Sequence, residues 1–289
     1  MSRARALGGA ALLLGLTGLL TGCSSDGGED ADAAAASASA AAEAATSASA
    51  AAAPTPAPKP PATPKVGTCY RMSFDQAVAP TATARKRDCA RPHTAETYRV
   101  GALATVADGH LLAVDSDRAQ RQVAEACPGG LSAYVGGDES ALRLSMIRPV
   151  WFTPSVEESD EGANWFRCDA VVVTGSSGLA TVDVSLRGIL DRDADRDRVA
   201  MCGTAAPDAD AFSRVPCAAQ HSWRAISVVG LTGESYPGEQ AARSRGDGVC
   251  EDAAAARADD PLDFQWGYEW PTEAQWESGM TFGRCWAPE

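Results

Sequence analysis

The chain has 289 residues, nine cysteines and a formal net charge of −13 at pH 7. This length corresponds to about two domains. The negative charge argues against nucleic-acid binding, which needs patches of lysine and arginine, and against adsorption to anionic lipid headgroups without an anchor.

Residues 1–22 have the order of a secretory signal peptide. Two arginines precede an apolar run over 6–20, which is short for a transmembrane helix but typical of a signal peptide. The following Leu20-Thr21-Gly22-Cys23 resembles the lipobox of bacterial lipoproteins. That resemblance implies cleavage before Cys23 and lipidation of its sulfur. We therefore expect a chain that is anchored by lipid to the extracytoplasmic face of the cell membrane.

Residues 23–65 are rich in alanine and serine and, toward their end, in proline. They contain no aromatic and no large aliphatic residue, so they offer little apolar area to offset the entropy cost of folding. We expect a disordered stalk whose proline-rich end is extended polyproline II. Such a stalk would lift the folded part of the chain away from the membrane.

The first folded module is predicted over residues 66–190. An acidic start followed by good helix formers predicts a helix over 115–127, and the Pro128-Gly129-Gly130 run should end it. Residues 154–162 are expected to form an acidic loop. Runs rich in β-branched and aromatic residues predict strands over 97–103, 142–151, 165–173 and, as a hairpin partner, within 179–190.

Residues 191–200 separate the two modules. Their alternating aspartates have the spacing that opens an EF-hand calcium loop. However, Arg196 and Cys202 stand where such a loop needs glycine and glutamate. We therefore expect a solvated linker rather than a calcium site.

The second folded module is predicted over residues 201–289. Its pattern predicts a strand over 222–231, a helix over 236–250 and an aromatic strand over 264–270. This module holds a dense set of tryptophans, which form either part of its core or an exposed patch for contact with a glycan or protein. The set is Trp266, Trp270, Trp276 and Trp286.

The two modules repeat one frame of four cysteines. Successive cysteines are 20, 38 and 41 residues apart in the first module and 15, 33 and 35 apart in the second. In both, a histidine follows the second cysteine by four residues, and an arginine, Arg167 or Arg284, precedes the last cysteine. This match indicates a duplication. We therefore expect an α+β protein of two tandem modules stapled by disulfides, each a mainly antiparallel sheet with one helix.

Eight cysteines remain after Cys23, which is an even set suited to pairing in an oxidising compartment. Four cysteines allow three connectivities in each module, and spacing alone leaves all three open. We favour first-to-second and third-to-fourth pairing because the loop lengths then scale together between the modules. The favoured pairs are Cys69–Cys89, Cys127–Cys168, Cys202–Cys217 and Cys250–Cys285.

The first module also resembles a known family. Gly67-Thr-Cys69-Tyr70, Cys89-Ala-Arg-Pro-His93-Thr-Ala-Glu96, Cys127 and the Trp165-to-Cys168 segment are similar to the septum-formation domain family of actinobacterial envelope proteins. The second module shares the cysteines, His221 and its C-terminal segment, but Gln220 and Arg224 replace the proline and glutamate of the central motif. The resemblance implies an extracytoplasmic module associated with cell division, and it brings no established enzymatic activity.

The motif histidines are the main candidates for chemistry. Glu96 lies three residues after His93 and has the position of a carboxylate that orients a general base, but Arg224 replaces it in the second copy. We therefore favour a structural role, in which the imidazole bonds a backbone carbonyl at the start of a strand. His93, Glu96 and His221 remain candidate recognition residues. The sequence has no Cys-x-x-Cys, and we expect no metal and no other cofactor.

These observations favour a non-catalytic envelope lipoprotein that binds an envelope protein or a wall component during cell division or wall assembly. One alternative is a cell-wall hydrolase that uses His93 with nearby carboxylates. Another is an extracytoplasmic sensor or accessory subunit of a transmembrane partner. Familiar hydrolase motifs such as Gly-x-Ser-x-Gly and His-Glu-x-x-His are absent from the sequence.

Overall fold

The computed structural model describes residues 61–81 and 83–289. The predicted signal peptide, the lipidation site Cys23 and nearly all of the predicted stalk lie outside the described residues. Within the described part of the chain, no helix has both the length and the hydropathy that a membrane crossing requires.

The first module is built on an antiparallel sheet. Its elements in chain order are β1 (Cys69–Arg71), α1 (Phe74–Ala77), β2 (Arg85–Arg87), β3 (Ala95–Ala102), β4 (Val106–Ala107), β5 (His110–Leu111), α2 (Asp117–Ala126), α3 (Pro128–Val135), α4 (Glu139–Arg143), β6 (Ile147–Phe152), α5 (Val156–Asp160), β7 (Trp165–Thr174) and β8 (Gly178–Leu179). The strands run in the order β2-β1-β3-β7-β6, with β8 paired to β7, while β4 and β5 form a separate hairpin.

A short connection joins the modules, with a 3-10 turn at Ile189–Asp191 and α6 at Asp193–Arg196. The elements of the second module are β9 (Met201–Gly203), β10 (Arg214–Pro216), β11 (Trp223–Gly230), α7 (Glu239–Ala255), β12 (Gly267–Glu269), α8 (Glu273–Glu277) and β13 (Phe282–Pro288). Their sheet order, β10-β9-β11-β13-β12, matches the first module strand for strand. The α+β class and the internal duplication are therefore present in the fold.

The first module has more helix than the sequence predicts. Pro128 does not end the helical segment but opens α3, because proline at the first position of a helix loses no hydrogen bond. The expected acidic loop contains α5, whose start is fixed by a capping box between Ser155 and Glu158. The same box, between Thr272 and Gln275, starts α8 in the second module.

Several predicted boundaries also differ from the structure. The strand expected from residue 142 begins at Ile147, because Asp138 caps α4 just before it. Of the expected hairpin partner, only Leu179 pairs with β7, in the short strand Gly178–Leu179, and Val182 instead bridges to His93. In the second module, α7 runs past Cys250, so this cysteine lies within the helix. The aromatic strand is shorter than expected, at Gly267–Glu269.

One hydrophobic core runs through both modules. The largest buried cluster joins residues of the first module, such as Ile147 and Leu186, to Met201 and Trp286 of the second. Trp286 is fully buried and packs edge-on against Phe212, with 5.1 Å between ring centroids. Trp276 is also buried, in a separate cluster of the second module, and Trp266 and Trp270 are partly buried against that cluster.

The segment expected to be a solvated linker is exposed over most of residues 191–198 and is held against the first module at both of its ends. Val199 is fully buried, and its carbonyl accepts a hydrogen bond from Met146 N at 2.7 Å. Met201 N donates to Leu144 O at 2.8 Å, and the Asp191 carboxylate accepts from Gly137 N at 2.8 Å. The charged residues between these contacts are mostly exposed, whereas Val199 and Ala200 at the end of the segment are buried.

Candidate functional site

Four disulfides frame the two copies of the motif. The structure pairs Cys69 with Cys89, Cys127 with Cys168, Cys202 with Cys217, and Cys250 with Cys285. This is the pairing that the spacing favours. In each module the first bond ties β1 or β9 to the motif loop, and the second ties a helical segment to the last long strand.

His93 is sealed inside the first module. Its side chain is fully buried, and its Nδ1 lies 2.8 Å from Arg91 O. Because a carbonyl only accepts, Nδ1 carries the proton and donates it to this oxygen. The other ring nitrogen, Nε2, is enclosed and has no hydrogen-bond partner among the described residues. The imidazole therefore holds the start of β3, and it offers no contact to a ligand in this structure.

Glu96 is also an interior residue, with an exposed fraction of 2 %. Its carboxylate accepts from the Tyr134 hydroxyl at 2.6 Å, from the Ser185 hydroxyl at 2.7 Å and from Leu186 N at 2.6 Å. Burial raises the pKa of Tyr134, and the carboxylate beside it raises this pKa further. Glu96 thus pins α3 and the 185–186 segment to β3, and its oxygens are already occupied rather than free to orient His93.

The second copy of the motif is more open. His221 Nδ1 donates to Ala219 O at 2.8 Å, which repeats the contact of His93. Its Nε2 lies 3.5 Å from a carboxylate oxygen of Glu289. Arg224, which takes the place of Glu96, forms ion pairs with Glu289 and, at 3.0 Å, with Asp197 of the connecting segment.

Two adjoining cavities meet at this second motif, with volumes of about 600 and 850 Å³. They share Arg224, Ile226 and Arg257, and we call them together the Arg224 cleft. Aspartates line both sides, including Asp259 in one cavity and Asp193 in the other. A partner that presents basic or hydrogen-bonding groups would complement this cleft.

A buried ion pair lies at the last cysteine of the first module. Arg167 and Asp169 are 3.2 Å apart, and Thr97 donates to the same carboxylate at 2.6 Å. The guanidinium is sandwiched between the rings of Tyr70, at 4.0 Å, and Phe152, at 4.7 Å. Burial raises the pKa of Asp169 to about 6, although Arg167 and Thr97 oppose the shift. This pair belongs to the interior and not to a ligand site.

The disulfides also bear on metal binding. Cys69, Cys89 and Glu96 lie within 4.8 Å of one another, as do Cys202, Cys217 and Glu289. Both pairs of sulfurs are bonded to each other, so neither set offers the thiolates that a cysteine metal site needs.

A cluster of arginines was missed by the sequence-based expectations. The repeat aligns Arg284 with Arg167, which marks Arg284 as a residue of interest. The sequence gives no indication that Arg143, Arg148 and Arg214 gather around it, because this requires the two modules to pack together.

Comparison with known proteins gives one match. The family model described as "Septum formation" matches residues 40–158 and 66–285, and the longer match spans both modules to the last cysteine. No curated protein and no solved structure matches the chain.

Proposed function

Because the chain belongs to the septum-formation family, we propose that it is a non-catalytic accessory protein of cell division or wall assembly. It acts by binding a partner in the cell envelope, either another envelope protein or a wall component. The family match over both modules is the observation that carries this proposal.

The proposed location is the extracytoplasmic face of the cell membrane. Four disulfides support an oxidising compartment, since such bonds are rare in the reducing cytosol. The anchor in this proposal is lipid on Cys23, which the Leu-Thr-Gly-Cys sequence supports.

The geometry of the motif favours binding over catalysis. With its proton on Nδ1, His93 would act as a base through Nε2, and this nitrogen is enclosed in the core. The Glu96 carboxylate is engaged by three donors. A base needs access to the proton that it removes. The Arg224 cleft is open, so we place the partner contact there.

The proposal is tested by following the tagged full chain in dividing cells of the native organism. A photo-crosslinking residue at the exposed Arg257 samples the Arg224 cleft, and the same residue at the exposed Arg118 on α2 serves as the matched control. We expect enrichment at division sites and crosslinked partners from position 257 but not from position 118.

Two results would contradict the proposal. A uniform distribution around the cell would remove the link to division. Equal crosslinking from both positions would show that the Arg224 cleft is not the site of partner contact. Cys23→Ala separates the anchor from the rest, because it should release the chain from membranes and leave the folded part intact.

A further inference from the structure

A second groove, which we call the arginine groove, lies where the two modules meet. The first module contributes residues of α4 and β6, and the second contributes residues of β10, β12 and β13. The groove has a volume of about 540 Å³. Its charged lining residues are Arg143, Arg148, Arg214, Arg284, Glu139 and Glu269.

The groove is positively charged in a negatively charged protein. Four arginines and two glutamates line it, which leaves an excess of two positive charges. The whole chain carries a net charge of −13. A local excess of arginine within such a chain favours the binding of an anion in this groove.

Two of the four arginines have carboxylate partners. Arg143 donates to Glu139 at 2.6 Å, and Arg214 is ion-paired with Glu269. Arg284 lies 3.7 Å from the same Glu269, which is too long for a hydrogen bond. Within the described part of the chain, Arg148 and Arg284 therefore make no hydrogen bond to a carboxylate.

Backbone carbonyls hold these two side chains in place. Arg284 Nε donates to Arg143 O at 3.0 Å, across the boundary between the modules. Arg148 Nη1 donates to Ser145 O at 3.0 Å and to Ile147 O at 2.6 Å. Each guanidinium is thus fixed by one edge and keeps further N–H donors, which is the preorganisation that an anion site needs.

The electrostatics of the groove support the same conclusion. Burial lowers the pKa of Arg284 to about 10; Glu269 opposes this shift, while Arg148, Arg214 and Arg143 add to it. Burial likewise lowers the pKa of Arg148, and Arg214 lowers it further. A partly desolvated cation beside other cations is costly, and a bound anion offsets that cost.

We propose that the arginine groove binds a phosphate group. A phosphate monoester carries about −1.5 to −2 charges at pH 7, which matches the excess of two positive charges that line the groove. The planar fork of arginine fits phosphate oxygens with two parallel hydrogen bonds. This site is separate from the Arg224 cleft, and it does not depend on the proposed role in division.

The proposal is tested by titrating the full chain with inorganic phosphate in a calorimeter. A glycerol-phosphate oligomer is the second probe. Succinate is the control, because it carries a similar negative charge on carboxylate groups and has no phosphate. We expect one phosphate site. Arg148→Gln should weaken binding about tenfold, since it removes one charge-assisted contact. Arg118→Gln, on the exposed face of α2, is the matched control and should leave binding unchanged.

A second variant keeps the test independent of folding, because Arg148 also holds two backbone carbonyls. Glu139 has a side chain that is 73 % exposed, and Glu139→Gln frees Arg143 without disturbing the core. This change should strengthen phosphate binding about threefold, because it frees the Arg143 guanidinium to pair with the phosphate.

The probes distinguish the source of the phosphate group. Tighter binding of the oligomer supports a phosphodiester polymer as the source, whereas preference for inorganic phosphate supports a free or monoester phosphate. The proposal is overturned if no probe binds, if succinate binds as well as phosphate, or if Arg118→Gln weakens binding as much as Arg148→Gln.

Discussion

The two modules share one strand order, yet corresponding positions lie in different environments. What they share is structural. His93 and His221 each bond the carbonyl two residues before them, at 2.8 Å in both modules. The disulfides also join corresponding elements, a strand to the motif loop and a helical segment to the last long strand. The part of the motif present in both copies is therefore the part that starts a strand.

The two modules differ in which of their charged motif residues are buried and which line a cleft. Glu96 is buried in the first module, whereas Arg224 reaches the edge of a cleft in the second. Arg167 has Asp169 beside it, but the matching position after Cys285 is Trp286. Without that carboxylate, Arg284 turns to the arginine groove. The Arg224 cleft and the arginine groove therefore lie in the second copy and at its contact with the first.

Exchanging the residues at Glu96 and at its counterpart Arg224 should reveal the largest difference in stability between the two motifs. Glu96→Arg places an uncompensated cation among donors in the core, so we expect it to lower the free energy of unfolding by about 5 kcal/mol. The reverse change, Arg224→Glu, should cost only about 1 kcal/mol, because its ion pairs lie near the surface. Urea unfolding of both variants checks this. Equal losses would contradict the different roles of the two sites.

Removing the third-to-fourth disulfide of the first module should have the next largest effect. This bond closes a separation of 41 residues, and its loss should cost about 4 kcal/mol. Both cysteines lie in the core that the modules share, so Cys127→Ala with Cys168→Ala should shift the whole unfolding transition. Calorimetry of the double variant measures this. If part of the protein still unfolds at the wild-type temperature, the modules are independent.

The Asp169 pair predicts a dependence of stability on pH in the first module. Its folded pKa of about 6 exceeds the usual value of 3.8, so the folded state binds this proton more tightly than the unfolded state. The resulting stability is present below pH 4 and is lost as the pH rises through 6, in total about 3 kcal/mol.

Asp169→Asn removes this titratable group. The difference in stability between the wild type and this variant therefore isolates its contribution. The stability of the wild type relative to this variant should fall between pH 4 and pH 6, measured by urea unfolding at each pH. Asp108→Asn, whose side chain is 80 % exposed, is the control and should follow the wild type. Parallel profiles for the wild type and Asp169→Asn would show that the carboxyl is not desolvated.

The four-cysteine repeat and the main strands could be predicted from the sequence, because cysteine spacing and β-rich runs are local patterns that recur in both modules. Comparison of the two copies also predicted that His93 would bond a carbonyl, since Glu96 does not persist. Helices α5 and α8 were missed although their capping pairs, Ser155 with Glu158 and Thr272 with Gln275, are visible in the sequence.

No local pattern in the sequence predicted how the modules pack against each other. The charged run between them concealed the burial of Val199, and the arginine groove brings together Arg143 and Arg284, which are 141 positions apart in the chain. Side chains from two modules converge only after both have folded. The accessible candidate sites were therefore the part that single-sequence patterns did not reveal.

The central claim is that the first motif is structural and that the second is accessible to a partner. Its most direct test is a paired measurement on His93→Ala and Arg224→Ala. Melting temperature and recruitment to division sites are recorded for both full-length variants. We predict that His93→Ala loses about 2 kcal/mol, or roughly 4–8 °C, and that any loss of recruitment follows this instability. Arg224→Ala should melt within about 2 °C of the wild type and lose recruitment. A His93→Ala variant that melts like the wild type but is not recruited would place the functional site in the first motif and contradict this account.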